Sequence, residues 1–165
     1  MYITRVIIVN SRGKPKTLPQ LESLPEDLQQ HITLFRKIED FKKLDSLSNQ
    51  IKSITIFGGG FLGSELACAL GFRGRSENQG LEVVQAYQEP GNMGKVLPDY
   101  LSEWTTDKVR SEGVTVMPNS RVESVLRGES TNLSVKMQSG NVLNTDHMIV
   151  AVGIYRASIK NYTLL

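Results

Sequence analysis

Apolar positions recur along the chain with several different periods, and each period predicts a different element. β-Branched residues crowd positions 3–9, which predicts a short strand, and Gly13, Pro15 and Pro19 keep it from continuing. One or two helical turns fit between Leu21 and Gln30. Ile38, Phe41, Leu44 and Leu47 then recur at a spacing of three, predicting a helix over 36–49 with those residues inward and Glu39, Lys42 and Lys43 outward.

From Ser53 onward strands and helices alternate. Ile54, Ile56 and Phe57 form a short apolar run that ends in Gly58-Gly59-Gly60, and a helix over 61–70 follows, carrying Leu62, Leu66, Ala67 and Leu70. A polar segment over 73–80 leads to a strand over 81–87 that closes at Glu89-Pro90-Gly91. Leu97, Leu101 and Trp104 predict a third helix over 98–112, with Pro98 in its first turn and Gly113 as its stop. Val114 to Met117 supplies another strand. Beyond Pro118 the period becomes two, through Val122, Val125, Leu133, Val135 and Met137 with turns at Arg127-Gly128 and Ser139-Gly140-Asn141, which predicts an antiparallel meander. The unbroken apolar run 148–152 reads as a parallel strand covered on both faces. The fold class is therefore α/β: a Rossmann-like parallel sheet with a three-stranded antiparallel meander as a crossover.

Composition narrows what such a fold can do. At 165 residues, with 39% hydrophobic and 22% charged side chains, the chain matches one globular domain with or without extensions. Nineteen Lys and Arg against 17 Asp and Glu give a net charge of +2, too little to attract nucleic acid or anionic lipid, and Lys42, Lys43 and Lys52 are too sparse for a nucleic-acid patch. Cys68 is the sole cysteine, which excludes an intrachain disulfide, a CxxC redox pair and a multi-cysteine zinc cage. No run approaches the ~20 apolar residues of a membrane span, and the N-terminal residues read as neither a secretory signal nor an organelle presequence. His31 and His147 stand in no metal-ligand spacing and are expected at the surface and at a strand edge, so no metal site is expected.

The chemistry concentrates at the glycines. Gly58-Gly59-Gly60-Phe61-Leu62-Gly63 satisfies G-x-G-x-x-G between a predicted strand and a predicted helix, the context that a dinucleotide site requires. Gly58 would allow the tight turn, Gly60 would let a pyrophosphate approach the backbone, and Gly63 would let the helix lie close to the sheet. The helix N-terminus, with free N–H groups and the positive end of its dipole, favours that anion. Glu89, at the end of the next strand, is placed to hold a ribose hydroxyl and so to favour NAD over NADP, a preference that Lys95 would soften unless it is only a solvated lysine. Other residues keep two readings. Phe61 is either a core plug or the cover of a flat ligand ring. Glu65 is read into the first helical turn, where the dipole alone accounts for a carboxylate. Gly153 is either a cleft residue or a turn, and Cys68 a small buried hydrophobe or a nucleophile.

Residues 32–153 resemble the mitochondrial apoptosis-inducing factor flavoproteins, within the pyridine nucleotide-disulfide oxidoreductase superfamily. The likeness is carried by Thr33-Leu34-Phe35-Arg36-Lys37-Ile38, by Gly58 through Gly71, by Gly91-Asn92-Met93-Gly94-Lys95 and by Ala151-Val152-Gly153. It implies the NAD-binding domain of a flavoprotein with two dinucleotide folds, in which NAD(H) passes a hydride to FAD. Gly59, Gly60, Phe61 and Leu62 would line the cofactor, Glu89 and Lys95 would address its adenosine side, and Gly153 would touch it from the last strand. Phe61 would gate or stack near the nicotinamide, and Glu65 would lie near its contact with the flavin. The resemblance also implies an intermembrane-space location, an import partner there and NADH-dependent dimerisation.

The same comparison divides the chain. Residues 1–31 read as an altered remnant of the junction with an FAD domain, with Asn10-Ser11-Arg12-Gly13 where the family has Ala-Thr-Gly-Gly. Residues 32–153 are the NAD(H)-binding domain, with a short insertion within 74–79, and 154–165 are an atypical tail. The FAD and C-terminal domains are expected to be missing, as in a partial gene model, truncated isoform or excised domain, and FAD would not be retained. Two other functions stay open: an NADH-sensing interaction module without turnover, and a truncated product that holds no cofactor.

Overall fold

The structure, a computed structural model, describes residues 13–76 and 80–155. The strand expected over 3–9, the altered residues Asn10, Ser11 and Arg12, the end of the 74–79 insertion and the tail beyond Tyr155 lie outside the described residues.

Strand β1 (Lys14–Pro15) leads through a 3-10 turn at Pro19–Leu21 into helix α1 (Glu26–Gln29) and strand β2 (Ile32–Leu34). Helix α2 (Ile38–Leu47) opens with Asp40 accepting the backbone N–H groups of Arg36 and Lys37 at 2.9 and 2.7 Å. Strand β3 (Ser53–Phe57), helix α3 (Phe61–Ser76), strand β4 (Glu82–Ala86), helix α4 (Asp99–Ser111) and strand β5 (Val114–Met117) follow the alternation read from the sequence. Strands β6 (Val122–Arg127), β7 (Leu133–Met137) and β8 (Val142–Thr145) form the antiparallel meander, before β9 (His147–Val150) and β10 (Ile154–Tyr155).

Five strands make a parallel sheet in the order β2-β9-β3-β4-β5. Alternation along each central strand divides its side chains between two cores, as the period of two demands. Ile54 and Ile56 of β3, Val83 of β4 and Ile149 of β9 face the helices, against Leu44, Leu66, Ala67, Leu70 and Val109. Phe57, Ala86, Met148 and Val150 face the meander, against Val122, Val125, Leu133, Val135 and Met137. All four residues of β9 are buried, the condition that produced its unbroken apolar run. Leu21 and Leu28 of the leading segment join the meander core, and β1 pairs with β10. Among the described residues no helix is long and apolar enough to cross a membrane.

The structure adds one strand to the pattern and decides which faces of two helices are covered. Strand β2 was not predicted, because three residues at a sheet edge are too few to show a period. Helix α2 turns Leu44 and Ser48 inward, while Ile38 and Phe41 are 71% and 58% exposed. Helix α4 likewise buries Ser102, Thr106 and Val109, leaving Leu101 and Trp104 at the surface. In both helices the apolar residues at helical spacing mark a face that the described residues do not cover. Beneath α4 lie polar groups, so its inward face carries hydroxyls.

Candidate functional site

The carboxyl ends of β9, β3 and β4 open into one cleft of about 560 Å³, within the range of small-molecule and cofactor sites. Its floor is Phe57 through Leu62, with Ala86 to Glu89 on one side and Val150 to Gly153 on the other. The segment 15–19 and the loop 93–96 form its rims.

The turn from β3 into α3 is held by its backbone. Gly58 donates to the Ala86 carbonyl at 2.9 Å, and Ala151 donates to the Phe57 carbonyl at 2.7 Å, so the turn is tied to both neighbouring strands. Gly58 has φ +131°, and a Cβ there would overlap the Ala151 carbonyl oxygen. A Cβ on Gly63 would overlap the Gly58 carbonyl oxygen, so that glycine sets how closely α3 seats on the turn. At Gly60 the geometry differs: nothing lies within 4 Å of where a Cβ would stand. That open space lies at the start of α3, whose first amides have no intrahelical acceptor. The turn thus presents donors and a positive dipole end to an open cradle, the chemistry that a diphosphate fits.

Below the turn lies a buried polar network that the sequence reading did not find. Asn92 is fully buried and is its hub. Its amide nitrogen donates to Ser64 Oγ and Gln85 Oε1, both at 2.8 Å, and its Oδ1 accepts the Tyr87 hydroxyl at 2.6 Å. Its backbone N–H donates to Thr106 Oγ1, and its carbonyl accepts Ser102 Oγ, again both at 2.8 Å. Gln85 Nε2 completes the path to the turn by donating to the Gly58 carbonyl at 2.9 Å. Burial pushes the Tyr87 phenol up, against a smaller lowering from its Thr106 contact. The signal was a glutamine inside an apolar strand, together with hydroxyls four residues apart on α4. Met93, at φ +56°, adds a backbone link by donating to the Gly59 carbonyl at 2.6 Å, which fastens the Gly91-to-Lys95 loop over the turn.

That loop brings Lys95 to Glu89. Lys95 Nζ and Glu89 Oε1 form an ion pair at the cleft wall, with the lysine side chain 80% exposed. Partial burial pushes the Glu89 carboxyl up, but the Lys95 hydrogen bond and its charge, with backbone amides of Gln88 and Glu89, outweigh it and hold the group below its ordinary value. Gly58, Gly59, Gly60, Phe61, Leu62, Glu89, Lys95 and Gly153 therefore line one cleft.

Other residues fall elsewhere. Phe61 is 56% exposed at the cleft and plugs no core. Glu65 is exposed and does not line the cleft. It also misses the first turn of α3, which contains no acidic residue because the helix begins at Phe61, so the dipole does not account for it. Cys68 is half-buried against the helix-side core, and burial raises its thiol. His147 does not lie in an edge strand. It is buried in the second strand of the sheet, with its Nε2 2.9 Å from Thr33 Oγ1, and burial, helped by the charge of His31, pushes it down to about 4.

Comparison with known proteins gives a consistent picture. The pattern of the pyridine nucleotide-disulphide oxidoreductase family matches residues 6–162. A Drosophila melanogaster protein named for the mitochondrial apoptosis-inducing factor 1 is 45% identical over 139 residues, covering 84% of this chain and 18% of that protein. The mitochondrial apoptosis-inducing factor 1 of Dictyostelium discoideum is 32% identical over 149 residues, covering 89% of this chain and 27% of its own length. The chain thus spans between 18% and 27% of these two relatives. Among solved structures, the water-forming NADH oxidase from Lactobacillus brevis bound to NADH is similar in fold, with a TM-score of 0.68 at 22% identity over 84% of this chain and 28% of that one. The ferredoxin reductase from Rhodopseudomonas palustris gives 0.68 at 23% identity, over 87% and 32%.

Proposed function

The chain belongs to the pyridine nucleotide-disulphide oxidoreductase family, within its apoptosis-inducing-factor group, and on that premise we propose that its cleft holds NAD(H) for hydride transfer to a flavin. The observation that carries the reading is the open cradle at Gly60 over the start of α3, one strand away from Glu89. A nicotinamide dinucleotide, when bound, supplies the hydride, and FAD in the longer protein is its acceptor. The residues of this chain bind and orient. The amides at the start of α3 hold the pyrophosphate, and Glu89 accepts a hydrogen bond from a ribose hydroxyl, with Lys95 beside it. Phe61 and Leu62, at the end of the cleft floor, cover the nicotinamide half, and Gly153 leaves its side of the cleft open because nothing lies within 4 Å of its Cβ position. Glu65, exposed on α3, belongs by this proposal to the surface that meets the flavin part.

Residues 32–153 are, in this proposal, the NAD(H) domain of a longer mitochondrial protein of the intermembrane space, with 1–31 and 154–165 flanking it. A second reading, an NADH-responsive interaction module without turnover, draws on Tyr100, Leu101 and Trp104, which α4 leaves exposed. Titration of the purified chain with NADH, followed by heat or fluorescence, tests the binding that both readings share: saturable binding is expected, and its absence removes both. In the longer protein that carries the FAD part, oxidation of NADH by an artificial acceptor then supports the hydride-transfer reading, and NADH binding without oxidation supports the interaction module.

A further inference from the structure

The order of the sheet lays the cleft out as a line. The strands β9, β3, β4 and β5 are neighbours in that order, and their carboxyl ends deliver Gly153, the glycine turn, Glu89 and the loop 118–121 in turn. If the diphosphate lies at the turn and a ribose at Glu89, the next position outward belongs to the loop after β5. That loop is fixed to the Glu89 segment by its backbone. Asn119, at φ +53°, donates to the Glu89 carbonyl at 3.0 Å, and Ser120 donates to the Tyr87 carbonyl at 2.7 Å. Arg121 follows, held through its own carbonyl by the Gln138 N–H at 2.9 Å, and both Ser120 and Arg121 line the cleft.

The charges at this end do not match a site that rejects a phosphate. A carboxylate at the ribose discriminates against a 2′-phosphate only while its charge is unopposed. Here Glu89 is already paired with Lys95, and Arg121 has no ion-pair partner among the described residues. Two cations and one carboxylate leave a net positive end. A guanidinium also offers the planar fork of donors that suits a phosphate. Glu89 retains a second carboxylate oxygen for a ribose hydroxyl, so accepting the phosphate does not require giving up the unphosphorylated nucleotide.

We propose that the Glu89 end of the cleft accepts a 2′-phosphorylated adenosine as well as an unphosphorylated one, and that Arg121 determines this specificity. The inference rests on the nucleotide-binding reading above. Its test is calorimetric titration of the full chain and of Arg121→Ala with NADH and NADPH. Both nucleotides saturate the wild-type chain, and Arg121→Ala weakens NADPH at least fivefold more than it weakens NADH. Arg121→Lys, which keeps the charge but loses the fork, lies between the two. A wild-type chain that binds NADH but not NADPH overturns the proposal and leaves the nucleotide reading intact. So does an Arg121→Ala loss shared equally by both nucleotides, which would mark adenine stacking or a structural role, or no loss at all. Failure of both nucleotides to bind removes the nucleotide reading itself, and this inference with it.

Discussion

The two ends of the cleft are built on different physical terms. The glycine turn is fixed by hard contacts and buried hydrogen bonds: Gly58 and Gly63 leave no room for a Cβ, and Asn92 ties the loop, the strand β4 and the helix α4 beneath it. The other end has its backbone tied by Asn119 and Ser120, but what it offers a ligand is an ion pair whose lysine is 80% exposed, so water and salt screen it. Shape belongs to the first end and charge to the second. Changes at the turn should therefore cost stability and binding together, whereas changes at Glu89 should tune binding alone.

The largest effect is expected from Asn92→Leu, which strands the buried Tyr87 hydroxyl, Ser64 and Gln85 without their partner. Unpaired buried groups of this kind should lower unfolding free energy by about 4 kcal/mol, read as a fall in the urea midpoint. A loss below about 1 kcal/mol would mean that the network does not hold the turn. Gly58→Ala comes next, because φ +131° and the Ala151 carbonyl oppose a side chain together. Overpacking and backbone strain predict a loss of about 2–3 kcal/mol, with NADH affinity falling in the same variant. Retained stability with binding lost would sharpen the contrast, since the turn would then be built for the ligand alone.

Acid separates the sheet from the cleft. His147 has a pKa of about 4 in the fold against an ordinary value near 6.5. Between these values the unfolded chain binds the extra proton, so stability rises with pH across the window and is lost as pH falls from about 6.5 toward 4. The full effect is on the order of 3 kcal/mol in thermal unfolding, and His147→Gln should flatten it. Glu89 has its carboxyl held below the ordinary value, so the stability it contributes is present above that value and is lost only as pH falls further. The smallest stability effect belongs to Glu89→Ala, expected within about 1 kcal/mol because its pair is screened. The same variant should weaken NADH more than NADPH, and equal losses would count against a ribose role for the carboxylate.

Much of this was legible before any coordinates. The glycine turn could be read because no other residue type tolerates Gly58's backbone or the approach at Gly63, so the steric requirement is written as residue identity. Strand β9 could be read because burial on both faces leaves no polar position in Met148, Ile149 and Val150. The covered faces of the two outer helices could not be read, for a matching reason. Spacing of three or four in Ile38 and Phe41, or in Leu101 and Trp104, identifies an apolar stripe but not what covers it, and among the described residues nothing does. Asn92 carries no such signal, because a buried asparagine looks like any loop asparagine until its partners are brought around it.

The sequence by itself determined the alternation of strands and helices from β3 to β9, the bend after β3 and the carboxylate one strand later, since these follow from local sterics and from periodicity along the chain. Only the tertiary structure decided which helical faces are covered, that Lys95 reaches Glu89, that Asn92 gathers five partners from four segments, and that Arg121 arrives at the same cleft. Those contacts join residues distant along the chain, so their energies depend on distances that no local pattern contains.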